Sequence, residues 1–235
     1  MSRPRIVLLG DSITVGCRET GVTEDTTYPS LLQRLLDQAG LDVELIVSAL
    51  HGVYMEYAVR RFERMVGRHR ADYLLILLGA NDAVPAGGNS STSTEDFQTA
   101  LKTLASQCLV NGVIPIIASP PPRSDEKCCS LLRGYAGIAQ AFAEKSELPF
   151  IDLFAKLSDE RFLSELLPDC QHPNPTANEI IAALVAECLL KLPGIGGRKV
   201  STSAAALAGK RNVESRYRSL LQEQSASAAG HGPSS

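Results

Sequence analysis

The chain has 235 residues, 44% of them hydrophobic and 21% charged, the mix of an ordinary globular protein large enough to bury its own core. A net charge of -3 argues against a dedicated nucleic-acid binder, which should be basic. No apolar run approaches the roughly 18 residues that span a bilayer, so a cytoplasmic protein with no stable membrane insertion is expected.

The opening Met1-Ser2-Arg3-Pro4-Arg5 leads into only four apolar residues, Ile6 to Leu9, before Gly10. That is too short for a secretory h-region and reads instead as a first strand. Further apolar runs fall at 43–47, 73–78, 113–118 and 150–154. Most are rich in Val, Ile and Leu with little alternation, as strands buried on both faces should be. Pro115 interrupts the fourth, an awkward residue for an inner strand. Between the runs, apolar residues recur with helical spacing at 31–36, 54–66, 97–109, 131–143 and 179–190. Thr94-Glu95-Asp96 gives the third of these an acidic first turn. Strands alternating with such helices mean βαβ units on a parallel sheet. Right-handed crossovers cover both its faces, so one three-layer α/β/α domain is expected over residues 1–192. Pro193-Gly194 ends the last helix, and residues 193–235 turn small and basic, at +4 against -7 for the body. This tail reads as mostly disordered, with a short helix near 208–224 carrying Val213, Tyr217, Leu220 and Leu221 on one face. Such a helix suits contact with a protein or a membrane surface. The six cysteines form no Cys-x-x-Cys, so no zinc ribbon or thioredoxin-type site is suggested. Adjacent Cys128 and Cys129 read as ordinary thiols.

In an open parallel sheet, ligands bind beyond the carboxyl ends of the strands. The first run is followed there by Gly10-Asp11-Ser12, the second by Ser48-Ala49-Leu50-His51-Gly52 and the third by Gly79-Ala80-Asn81-Asp82. Asp169-Cys170-Gln171-His172-Pro173 precedes the last helix. Each alone is an ordinary turn or cap. Together they hold the parts of acyl transfer. A serine hydroxyl needs a base, and His172 can serve Ser12. Asp169, three residues before His172, can fix its tautomer. An oxyanion needs aimed donors, which the backbone N–H groups of Ser12 and Gly52 and the Asn81 amide can supply. His69, His51 and His231 compete poorly, for none sits beside a carboxylate and a strand end in this way.

These four ordered segments resemble the SGNH hydrolases, the GDSL-type esterases and lipases. The resemblance places the nucleophile on Ser12, the oxyanion glycine on Gly52, the Gly-x-Asn-Asp motif on Gly79 to Asp82 and the Asp-x-x-His-Pro motif on Asp169, His172 and Pro173. It covers residues 5–190 and implies a flavodoxin-like fold with five parallel strands. Gly79-Ala80-Asn81-Asp82-Ala83-Val84, Pro120-Pro121-Pro122 and Arg133-Gly134-Tyr135-Ala136 resemble the isoamyl-acetate-hydrolysing esterase group, which implies small ester substrates. Three departures stand out. Val47-Ser48-Ala49-Leu50 lacks the Asn that usually braces the second motif, His51 replaces a small residue before Gly52, and Cys170 stands where a Gly is common.

The expectation is a serine esterase acting on short carboxylic esters through an acyl-enzyme, with no metal or other cofactor and no nucleic-acid partner. Same-fold alternatives are a thioesterase or lysophospholipase and a carbohydrate acetylesterase. The absence of Trp and the 5% aromatic content leave few platforms for sugar stacking. A phosphate- or flavin-binding module at Ser12 to Gly16 would leave Asp169 and His172 idle. A non-enzymatic scaffold would have no physical use for all four motifs. Residues 85–91 and 120–130 are candidate walls of the pocket.

Overall fold

A computed structural model describes residues 3–84, 91–158 and 163–195. The chain runs β1 (Arg5–Gly10), α1 (Ser12–Val15), α2 (Tyr28–Gln38), β2 (Glu44–Ala49), α3 (Met55–Arg60), α4 (Phe62–Met65), β3 (Tyr73–Leu77), α5 (Thr94–Val110), β4 (Ile114–Ala118), α6 (Glu126–Lys145), β5 (Phe150–Ile151), α7 (Leu153–Leu157), α8 (Leu163–Leu166) and α9 (Pro175–Leu189). All strand pairs are parallel, in the order β2-β1-β3-β4-β5. This is the expected doubly wound three-layer sheet.

The apolar runs work as two-faced strands. Ile6, Leu8, Leu75 and Leu77 face a core shared with Tyr28, Leu32 and Leu36 of α2 and with Ile181 and Val185 of α9. Val7, Leu9, Leu74 and Ile76 face the opposite core, with Met55 of α3, Leu101 and Leu104 of α5 and Tyr135 of α6. Each such side chain, fully buried, contributes about 1.5–3 kcal/mol. On β2, the sheet edge, Val47 is left half exposed.

Several bounds differ from the sequence expectation. The run at 150–154 yields only two strand residues, because Asp152 leaves the sheet and caps α7, its Oδ1 accepting from Ala155 N at 2.9 Å. The stripe at 54–66 is two short helices, broken at Arg61. Helices α6 and α9 begin earlier than their apolar stripes, where Asp125 accepts from Cys128 N at 3.0 Å and Asn174 from Ala177 N at 2.9 Å. Those caps satisfy N–H groups that a helix start leaves open. Pro115 is accommodated by alternation along β4. Ile114 N donates towards β3, to Asp72 O, while Ile117 N and Ser119 N donate towards β5. The missing N–H of Pro115 therefore lies on the β5 side, where that two-residue strand has no residue opposite it.

Past α9, Tyr73 Oη donates to Pro193 O at 2.6 Å and Ile195 is buried. The expected helix near 208–224 lies outside the described residues. Among those that are described, no helix is long and apolar enough to cross a membrane.

Candidate active site

The ends of β1, β2 and β3 lie side by side, with Gly10 opposite both Ala49 and Leu77. At Gly10 the chain folds straight into α1, and a Cβ there would sit 1.9 Å from Thr14 Oγ1 and 2.6 Å from Thr14 Cβ. Only glycine allows so tight a strand-to-helix turn. Asp11 caps α1, its Oδ1 accepting from Ile13 N at 2.9 Å. Ser12 follows as the first residue of α1 and is buried.

Ser12 Oγ lies 2.9 Å from His172 Nε2. His172 Nδ1 lies 2.6 Å from Asp169 Oδ2. An ionised carboxylate only accepts, so Nδ1 carries the proton and Nε2 presents its lone pair to Ser12. Asp169 Oδ1 also accepts from His172 N at 2.6 Å and Gln171 N at 3.0 Å. Burial works against the Asp169 charge, but the His172 N–H, its imidazole and the Gln171 N–H outweigh it and hold the pKa below the usual value.

The loop bearing these two residues is fixed from several sides. Asn178, buried on α9, donates to Pro173 O at 3.2 Å and accepts from Tyr28 N at 2.9 Å. Thr20 Oγ1 donates to Pro173 O at 3.1 Å. The expected wall at 120–130 meets the loop through Arg123, which donates to Gln171, and through Ser124 N, which donates to Cys170 O at 3.2 Å. Residues 85–90 lie outside the described residues. Cys170 adopts φ +70°, so it keeps the left-handed turn that a glycine would favour, at a cost of about 1–2 kcal/mol. It is exposed and its thiol is free, as are the other five.

The second motif holds its shape without the missing Asn. Leu50 N donates to Gly10 O at 3.4 Å and Val53 N to Leu50 O at 3.3 Å. Gly52 turns the loop at φ +77°. Beyond it, Val53 O accepts from Asn81 Nδ2 at 2.9 Å and Met55 N donates to Asp82 Oδ2 at 3.0 Å. The third motif thus braces the second. His51 is exposed. Neither Ser12 N nor Gly52 N donates to an acceptor among the described residues. Asn81 differs, since Nδ2 also donates to Asp11 Oδ2 at 3.2 Å. Its two protons have partners at rest, a detail that its sequence position did not announce. His69 sits beside Arg68 in the 3-10 turn before β3, at the opposite end of the sheet.

The motifs gave Asp11 and Asp82 no role of their own, yet both are buried acids. Burial first, then the facing Asp82, pushes Asp11 up to about 7 against the pull of Ile13 N. Burial likewise pushes Asp82 up to about 6, with Glu56 adding to it and Met55 N opposing it. Each folded pKa lies above its unfolded value of 3.8. The native state therefore binds more protons than the unfolded chain across this window, and stability falls as pH rises through it. Asp11→Asn should gain on the wild type between about pH 4 and about pH 8, by on the order of 4 kcal/mol in urea unfolding. An offset that is the same at both pH values would refute the buried-acid assignment. At Cys170, melting temperatures should run glycine at or above cysteine, with Cys170→Val lower by more than about 1 kcal/mol in equivalent stability. Equal stability of the glycine and valine variants would show that the turn carries no strain.

Residues 8–180 match the model of the GDSL-like lipase/acylhydrolase family. An arylesterase of Vibrio mimicus is 24% identical over 190 residues, covering 80% of this chain and 88% of its own. The crystal structure of the lipase/acylhydrolase from Enterococcus faecalis superposes with a TM-score of 0.68 at 26% identity, over 78% of this chain and 94% of that one. Axe2, an acetylxylan esterase from Geobacillus stearothermophilus, shares the fold with a TM-score of 0.66 at 18% identity, over 80% and 94% of the two chains. This chain belongs to the GDSL-like lipase/acylhydrolase family, the SGNH hydrolases, and is a carboxylic ester hydrolase.

Proposed function

We propose that the protein hydrolyses short carboxylic esters by a serine mechanism, with Ser12 as nucleophile, His172 as base and Asp169 as its orienter. One observation carries this reading: the unbroken chain from Ser12 Oγ to His172 Nε2 at 2.9 Å and from His172 Nδ1 to Asp169 Oδ2 at 2.6 Å. Ser12 Oγ attacks the ester carbonyl while its proton passes to Nε2. The imidazolium is stabilised by Asp169 and then gives that proton to the leaving alcohol. Water, with Nε2 again as base, releases the acid from the acyl-enzyme.

The oxyanion is assigned to Ser12 N, Gly52 N and Asn81 Nδ2. The two backbone donors have no competing acceptor among the described residues. Asn81 would share with the oxyanion the proton it directs to Asp11 over a long 3.2 Å contact. Donors already fixed at rest need little reorganisation as charge develops, which is the source of their effect on rate. The exposed apolar side chains Val15, Leu50 and Tyr54 flank Ser12 and Gly52 along the chain. They offer surface to a small aliphatic group, in keeping with the resemblance to isoamyl-acetate-hydrolysing esterases. The absence of Trp weighs against an acetylated sugar as first choice.

Hydrolysis of p-nitrophenyl acetate, butyrate and octanoate tests this reading. Wild type should turn over the two shorter esters fastest. Ser12→Ala should lose turnover while keeping its fold, and Asn81→Ala should lose about 10²–10³ in kcat. Near-full rate in Asn81→Ala would remove it from the oxyanion site, and full rate in Ser12→Ala would end the serine mechanism.

A further inference from the structure

We propose that Cys17, Asp169 and His172 form a binding site for a soft divalent cation, zinc above all, whose occupation switches the esterase off. The site is distinct from any cofactor requirement. Its inhibitory effect rests on the reading of His172 as base, while cation binding itself does not.

Cys17 Sγ, a carboxylate oxygen of Asp169 and a ring nitrogen of His172 all lie within 4.8 Å of one another. A tetrahedral zinc ion, bound at about 2.0–2.3 Å, needs donors about 3.3–3.8 Å apart. Small side-chain rotations cover the difference. A fourth donor stands next to the thiol, since Cys17 Sγ lies 3.2 Å from Glu19 Oε2. Thiolate, imidazole and carboxylate together suit zinc, whereas magnesium and calcium prefer oxygen alone.

Cys17 belongs to none of the four motifs, yet its place is fixed. The buried Thr20 hydroxyl lies 2.9 Å from Cys17 O and 3.1 Å from Pro173 O and shares its single proton between them. One side chain thereby fastens the loop of the thiol to the residue that follows His172.

Binding and catalysis exclude each other. Asp169 Oδ2 and His172 Nδ1 at 2.6 Å are too close to share one ion, so the ion must replace their hydrogen bond. On Nδ1, the cation leaves the ring proton on Nε2, facing Ser12 with nothing to accept. The thiol proton of Cys17 leaves to solvent on binding.

Cobalt(II) serves as the spectroscopic probe. Wild type titrated with cobalt should develop a thiolate-to-metal charge-transfer band that is missing in Cys17→Ala. Zinc should inhibit p-nitrophenyl acetate hydrolysis, chelator should restore it, and Cys17→Ala should need at least about tenfold more zinc for half-inhibition, each protein being scaled to its own metal-free rate. No band in wild type, or one that persists in Cys17→Ala, overturns the site. Equal zinc sensitivity of the two proteins overturns the switch. If no ester were hydrolysed at all, the cobalt band would still decide whether the site exists.

Discussion

The carboxylate of Asp11 joins the two central strand ends. One oxygen takes the N–H of Ile13 and so starts α1 at Ser12, and the other takes the amide of Asn81 at the end of β3. Asn81 in turn holds Val53 O, and Asp82 holds Met55 N, which fixes the loop of Gly52 beyond β2. The three segments proposed to supply nucleophile and oxyanion donors are thus one hydrogen-bonded unit. Parallel strands alone would bring their ends to one edge of the sheet. The acids and the amide convert that neighbourhood into fixed geometry.

That geometry is held at a cost in stability. Asp11 and Asp82 are buried, with no cation beside them among the described residues, and burial raises their pKa values. Cys170 sits in a backbone conformation suited to glycine. The large two-faced core offsets such local costs, a division of labour common where a rigid frame carries a working site. The His172 loop lies outside the sheet and has no ladder to hold it. Thr20, Asn178 and the adjacent pair Arg123 and Ser124 take that role from three separate segments.

The sheet was legible in the sequence because buried parallel strands write themselves as short Val, Ile and Leu runs. All five runs form strands, and their order follows the doubly wound pattern. The bounds were harder to read where polar residues override the apolar signal. Asp152 ends β5 after two residues, and Asp125 and Asn174 start their helices ahead of the apolar stripes. Ser12 could be placed from its strand end, whereas Asp169 and His172, which precede α9, were legible only as one of four motifs taken together. The bracing role of Asp11 and Asp82 could not, because it depends on burial and on contacts between segments far apart in the chain. Nor could the nearness of Cys17 to His172, which Thr20 and the loop geometry produce. Pro115 looked unfavourable for an inner strand, but its missing N–H falls ahead of Phe150, where β5 has not yet begun.

The central claim is that Ser12 forms the covalent acyl-enzyme. An organophosphate triester such as diethyl p-nitrophenyl phosphate tests it directly, since attack by an activated serine forms an Oγ–P bond and expels p-nitrophenolate. Intact mass and peptide mapping should find one diethylphosphoryl group per chain, on Ser12, with esterase activity lost in proportion to labelling. A fully labelled protein that still hydrolyses ester, or a label carried by any other residue, would contradict the account.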